Sequence, residues 1–123
     1  MKLHLADVKN RYALTGHGPG YLAVNNIRHR QPLIIRPDQE PEPWLVTTFD
    51  ALDAAAFAAV LENNPEIIVL GTGSTQRFAA PAVIRPLIEA GIGLETMNTP
   101  AACRTYNILM SEGRRVVAAM LLP

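Results

Sequence analysis

The amino-acid sequence predicts an α/β fold: three layers around a central mixed, mainly parallel sheet flanked by helices. A small additional β element is expected from the N-terminal strands. Two observations carry this expectation. From about Phe49 onward, stretches with helical apolar spacing alternate with short apolar runs, in the order strand–helix–strand–helix–strand. Such alternation builds parallel strands joined by right-handed crossovers, with helices covering the sheet. Before Phe49, short segments punctuated by glycine, proline and asparagine read as hairpin-like strands. The 123 residues, 49 % hydrophobic and 18 % charged, fit one globular domain over 1–123 and exclude a disordered chain.

In the N-terminal part, Lys2 to Val8 and Arg11 to Thr15 are candidate extended segments. Gly16-His17-Gly18-Pro19-Gly20 should break the backbone pattern, since glycine reaches positive φ and proline lacks a donor. Tyr21 to Val24 and Arg28 to Ile35 flank Asn25-Asn26, a pair suited to a hairpin turn. The polar, proline-dense stretch Arg36 to Pro43 reads as a surface excursion.

Asp50 is placed as the N-cap of a helix, with Asp53 in its first turn and Leu52, Ala55, Ala56, Ala59 and Val60 as its apolar stripe. That helix should end near Asn63-Asn64-Pro65. A strand from Glu66 to Leu70 then runs into Gly71-Thr72-Gly73. Pro81 and Gly91 bound a second helix, and Ile92 to Met97 form the next strand. Thr99 and Pro100 read as the cap and first position of a third helix ending at Gly113. Arg114 to Leu122 is the closing strand.

Eleven basic residues balance eleven acidic ones, which argues against a dedicated nucleic-acid binder. One cysteine, Cys103, excludes an intrachain disulfide and suits a reducing compartment. Neither apolar run, Ala54 to Leu61 or Val116 to Leu122, approaches the roughly 20 residues that span a bilayer. The first residues read as neither signal nor transit segment, so a cytoplasmic location is expected, with peripheral contact to a membrane complex left open.

In open parallel sheets, ligands bind beyond the carboxyl ends of strands. This places a candidate crevice at Gly71, Thr72, Gly73 and Ser74 on one loop and at Asn98 and Thr99 on the other. Cys103, Arg104 and Asn107 on the following helix, and Glu95 on the strand before it, complete the set. A small anion could use the backbone N–H groups and the helix N-terminus there, or the glycines could simply make a tight strand exit. Glu95, read as mid-strand in a covered sheet, should pair with Arg104, Arg114 or Arg115, or else stay protonated. Gln76 stands where a dinucleotide fingerprint needs its third glycine. Cys103 reads as buried and inert rather than nucleophilic, and Tyr106 as a core residue with a tethered hydroxyl. The histidines His4, His17 and His29 lack metal-ligand spacing, so neither metal nor cofactor is expected.

The segment Met97-Asn98-Thr99-Pro100-Ala101-Ala102-Cys103-Arg104-Thr105-Tyr106-Asn107, with Glu112-Gly113-Arg114-Arg115, Gly71-Thr72-Gly73 and the closing apolar strand, carries a resemblance. It resembles the small single-domain family that includes mitochondrial respiratory complex I assembly factor 3. The resemblance implies a three-layer fold and a role through protein–protein contacts rather than turnover. It brings no catalytic residues, and it often has aspartate where this chain has Asn98. The expected function is a non-catalytic interaction domain that helps assemble a respiratory or membrane complex. Its partner would be another protein, with self-association left open. The alternative is a small-anion or metabolite module at the Gly71–Gly73 and Asn98–Arg104 rim.

Overall fold

Two sheets organise the chain, which the computed structural model describes over residues 11–123. The expected strand Lys2 to Val8 and His4 lie outside the described residues. A three-stranded sheet contains β1 (Leu14–Gly18), β2 (Tyr21–Val24) and β3 (Ile27–His29). A five-stranded sheet contains β4 (Leu33–Arg36), β5 (Gln39–Pro43), β6 (Ile67–Thr72), β7 (Gly93–Met97) and β8 (Val116–Leu121), in the order β5-β4-β8-β6-β7. Two helices, α1 (Pro81–Glu89) and α2 (Thr99–Ser111), connect the parallel strands.

The sheet is mixed rather than mainly parallel. β6 runs parallel to β7 and β8, whereas β4 runs antiparallel to both β8 and β5. β4 and β5 form a hairpin, which is necessarily antiparallel, and that hairpin joins the parallel strands through the long-range pairing of β4 with β8. The expected excursion from Arg36 to Pro43 is thus mostly strand. Its prolines at 41 and 43 fit because β5 is an edge, where a missing N–H is tolerated.

Every residue of β6 and β8 is buried. Strand alternation divides them between two cores. Ile67, Val69, Val116, Ala118 and Met120 meet α2 and the small sheet through Ala102, Tyr106, Met110, Leu14 and Leu22. Ile68, Leu70, Val117, Ala119 and Leu121 meet Trp44, Phe57, Val60 and Leu87 on the opposite face.

The expected helix from Asp50 is instead two short 3₁₀ segments, Phe49–Ala51 and Ala54–Phe57, followed by turns. Asp50 does not cap; Asp53 does, accepting from the Ala56 N–H at 2.9 Å. The reason lies in distant side chains. The indole Nε1 of Trp44 donates to the Ala56 carbonyl at 2.8 Å, and the Arg36 guanidinium donates to the Ala59 carbonyl. Carbonyls that a continuous helix would use internally are held outward, while Phe57 and Val60, three residues apart, fill the core.

In the small sheet, Asn25 and Asn26 adopt φ of 48° and 68° and make the β2–β3 turn. The Gly16–Gly20 stretch does not break the pattern until Pro19, because Gly16, His17 and Gly18 belong to β1. At Gly18 a Cβ would lie 2.4 Å from the Tyr21 ring, so the ring packs directly over the glycine. Beyond β3 the chain crosses to the large sheet, so the expected strand Arg28 to Ile35 splits at Arg30–Pro32. Glycine at 91 and 113, with φ of 72° and 77°, ends α1 and α2 where the sequence places their stops.

Side chains of α2 hold the small sheet. The Tyr106 hydroxyl donates to the Tyr12 carbonyl at 2.7 Å. The Asn107 amide donates to the Leu14 carbonyl at 2.7 Å and accepts from the Leu14 N–H at 2.9 Å, where β1 carries a bulge. Replacing Asn107 by alanine should strand both partly buried backbone groups and cost about 1–3 kcal/mol. Urea unfolding should show that loss, with faster amide exchange at Leu14; unchanged stability would contradict the bracing role.

Candidate functional site

β6 and β7 are parallel neighbours, so their carboxyl ends share one edge of the sheet as expected. There the structure brings Gly71, Thr72, Gly73, Asn98 and Thr99 together in a hydrogen-bonded seam. The Thr99 N–H donates to the Gly73 carbonyl at 2.8 Å, and the Gly73 N–H donates to Thr99 Oγ1 at 2.8 Å. Thr99 Oγ1 in turn donates to the Leu121 carbonyl at 2.7 Å, tying three strands' ends to the first residue of α2. Thr72 Oγ1 accepts from the Arg77 N–H and donates to the Thr75 carbonyl at 2.7 Å. Thr99 is therefore not the cap of α2. Asn98 is, through its Oδ1 and the Ala101 N–H at 2.9 Å.

This seam occupies the N–H groups of Gly73 and of the start of α2. Thr99, Ala101 and Ala102 N–H groups all have internal acceptors, and residue 100 is proline. Gly71 is explained by crowding: a Cβ would lie 2.6 Å from the Met120 sulfur and 2.8 Å from Thr99 Oγ1. Gly73, at φ 97°, makes the strand exit. Ser74 lines a 360 Å³ depression beside the seam, together with Thr72, Gly73, Thr75 and Arg77. Arg77 is already engaged, bonded to Asp50 at 2.8 Å and stacked over Phe49 at 4.3 Å.

The remaining candidates part company. Glu95 is exposed, because β7 is an edge strand, and it forms no ion pair with any described residue. The expectation that it is buried and paired is corrected. Glu66 receives Arg114 at 3.0 Å and the Arg115 N–H at 3.1 Å instead. Those donors hold the Glu66 carboxyl below its ordinary range. Arg104 is exposed on α2, and Asn107 braces β1. Cys103, on α2, is buried in the core, and burial pushes its thiol up to about 11. A thiol so desolvated is not a nucleophile at neutral pH.

A cavity of 680 Å³ lies elsewhere, at the amino ends of β6 and β8. It is framed by Arg11, Arg36, Arg114 and Arg115 with Asp38 and Glu62. The adjacent pair Arg114-Arg115 is visible in the sequence. Arg36 joins it through the β4–β8 pairing, which places Ile35 against Ala118, and Arg11 through the bond from the neighbouring Tyr12 N–H to the Pro37 carbonyl. Among the described residues no helix is long and apolar enough to cross a membrane.

The family described as a protein of unknown function, DUF498/DUF598, matches residues 14–121. An NADH dehydrogenase (ubiquinone) 1 alpha subcomplex assembly factor 3 of Bos taurus is 35 % identical over 102 residues, covering 81 % of this chain and 55 % of the relative. The chain thus spans about half the length of that relative. An uncharacterized protein of Rhodobacter capsulatus is 36 % identical over 108 residues, covering 88 % and 82 %. A crystal structure of a Bordetella parapertussis protein superposes with a TM-score of 0.87 at 38 % identity, covering 92 % of this chain and 97 % of that one. The chain belongs to the DUF498/DUF598 family.

Thr99→Val removes both the acceptor for Gly73 N–H and the donor to Leu121, and should destabilise by about 2–4 kcal/mol. Thr99→Ser keeps both bonds and should cost far less in the same denaturation experiment; equal losses would contradict the seam. Asn98→Asp should change stability by no more than about 0.5 kcal/mol, since either residue caps well. For Cys103 the folded thiol holds its proton to higher pH than the unfolded one. Stability should therefore fall as pH rises from about 9 towards 11. Cys103→Ser should flatten that slope, and native alkylation at pH 8 should be slow until the chain is unfolded.

Proposed function

We propose that this chain is a non-catalytic interaction domain that helps assemble a multi-subunit respiratory or membrane complex. The observation that carries the reading is its 35 % identity, across 81 % of its length, to a relative named as an assembly factor of NADH dehydrogenase. The geometry supports it. The expected crevice spends its polar groups on holding strands and helix together, and the one cysteine is buried and protonated. What the molecule leaves outward is surface. On α2, Arg104 and Ile108 stand one turn apart, with Ile108 57 % exposed. We place the partner contact on that stripe.

Deleting the gene in its host and separating membrane complexes under native conditions tests the reading. One multi-subunit complex should be depleted and a smaller subassembly should accumulate. Wild-type protein should restore it, and an Arg104→Ala, Ile108→Ala variant should not. An unchanged complex profile, with the purified protein turning over a metabolite, would overturn the proposal. Full rescue by the double variant would move the contact off α2.

A further inference from the structure

We propose that the cavity at the amino ends of β6 and β8 is a binding site for a small dianion of the phosphate or phosphomonoester class. This inference does not rest on the assembly reading and can fail independently of it.

Four arginines reach this cavity from three separate parts of the chain. Arg11 precedes β1, Arg36 ends β4, and Arg114 and Arg115 lead into β8. Two carboxylates line it, those of Asp38 and Glu62, and two more, Glu42 and Glu66, bond Arg36 and Arg114 from outside the lining. With Arg36 and Arg114 each so paired, the donors open to an anion are those of Arg11, of Arg115 and of the free end of Arg114.

The internal partners do not use up these groups. Arg36, 4 % exposed, donates to Glu42 and to the Ala59 carbonyl, yet its buried Nε has no partner among the described residues. Arg36 lines the cavity as a residue, with that nitrogen enclosed by protein behind it. Arg114 spends its Nε on Glu66, and Arg115 its Nε on the Asn64 carbonyl at 3.4 Å, which leaves the terminal nitrogens of both without a described acceptor. Arg11 forms no ion pair with any described residue. Guanidinium forks match phosphate oxygens in pairs, and such charge-assisted bonds are the strong ones.

The surrounding backbone is well suited to hold these groups in place. The Tyr12 N–H donates to the Pro37 carbonyl at 2.8 Å, and the Glu66 N–H donates to the Arg115 carbonyl at 2.9 Å. Asn63 and Asn64, at φ of 65° and 49°, make the turn that forms one wall. The 680 Å³ volume falls within the roughly 300–1,000 Å³ of small-molecule sites. That space exceeds inorganic phosphate, so an ester carrying a further small group would fill it better.

Amide and arginine Nε–H NMR shifts of the full chain, followed during titration with inorganic phosphate at constant ionic strength, test the site. Saturable shifts should cluster at residues 37–39, 62–65 and 113–115. Glycerol phosphate should bind at least as tightly as phosphate if an ester is the natural occupant; weaker binding would assign the site to phosphate itself. Arg115→Gln and Arg11→Gln should each weaken binding about tenfold or more while leaving the spectrum folded. Arg115 is exposed, and its backbone bond to Glu66 survives the change. Should one variant fold poorly, the other carries the test. Non-saturating shifts that chloride reproduces, or affinity unchanged in the folded variants, would overturn the proposal.

Discussion

The pairing of β6 with β8 is the constraint on which the rest of the structure depends. All twelve residues of these two strands are buried, so the sheet needs cover on both faces. α2 and the small sheet supply it on one side. The segment from Trp44 to Val60 and α1 supply it on the other. Neither covering stands alone: the small sheet leans on Tyr106 and Asn107, and the 3₁₀ segments hang from Trp44 and Arg36.

That arrangement gives the two ends of the sheet different characters. At the carboxyl ends of β6, β7 and β8, Thr99 closes the structure by bonding to Gly73 and Leu121. At the amino ends of β6 and β8, turns rather than a helix start enclose the space, and arginines line it. The ligand rule for parallel sheets points to the first end. Here its backbone donors serve cohesion, and the unsatisfied polar chemistry lies at the second.

Much of the fold was legible in the residues. Asn25-Asn26 marks its hairpin, Pro81 and Gly91 bound α1, and the apolar strands read at 66–70 and 114–122 fall on the central strands β6 and β8. The motif from Met97 to Asn107 pointed to the family. What was hidden depended on long-range partners. Nothing local shows that Arg36 and Trp44 will take carbonyls from residues 59 and 56 and break a helix. Nor does local pattern reveal that β4 enters beside β8, more than eighty residues away, which makes the sheet mixed and brings Arg36 to the Arg114-Arg115 pair. Glu95 was misread for the same reason: a carboxylate in a strand is costly in the middle of a sheet and unremarkable on its edge.

The central claim is that the carboxyl-end seam is cohesive structure. Hydrogen–deuterium exchange of the full chain addresses it directly, at the Gly73 and Thr99 amides. Protection of both at the level of β6 and β8 is the result this account predicts. Exchange of either as fast as an open loop would contradict it, because those donors would then be free for a ligand.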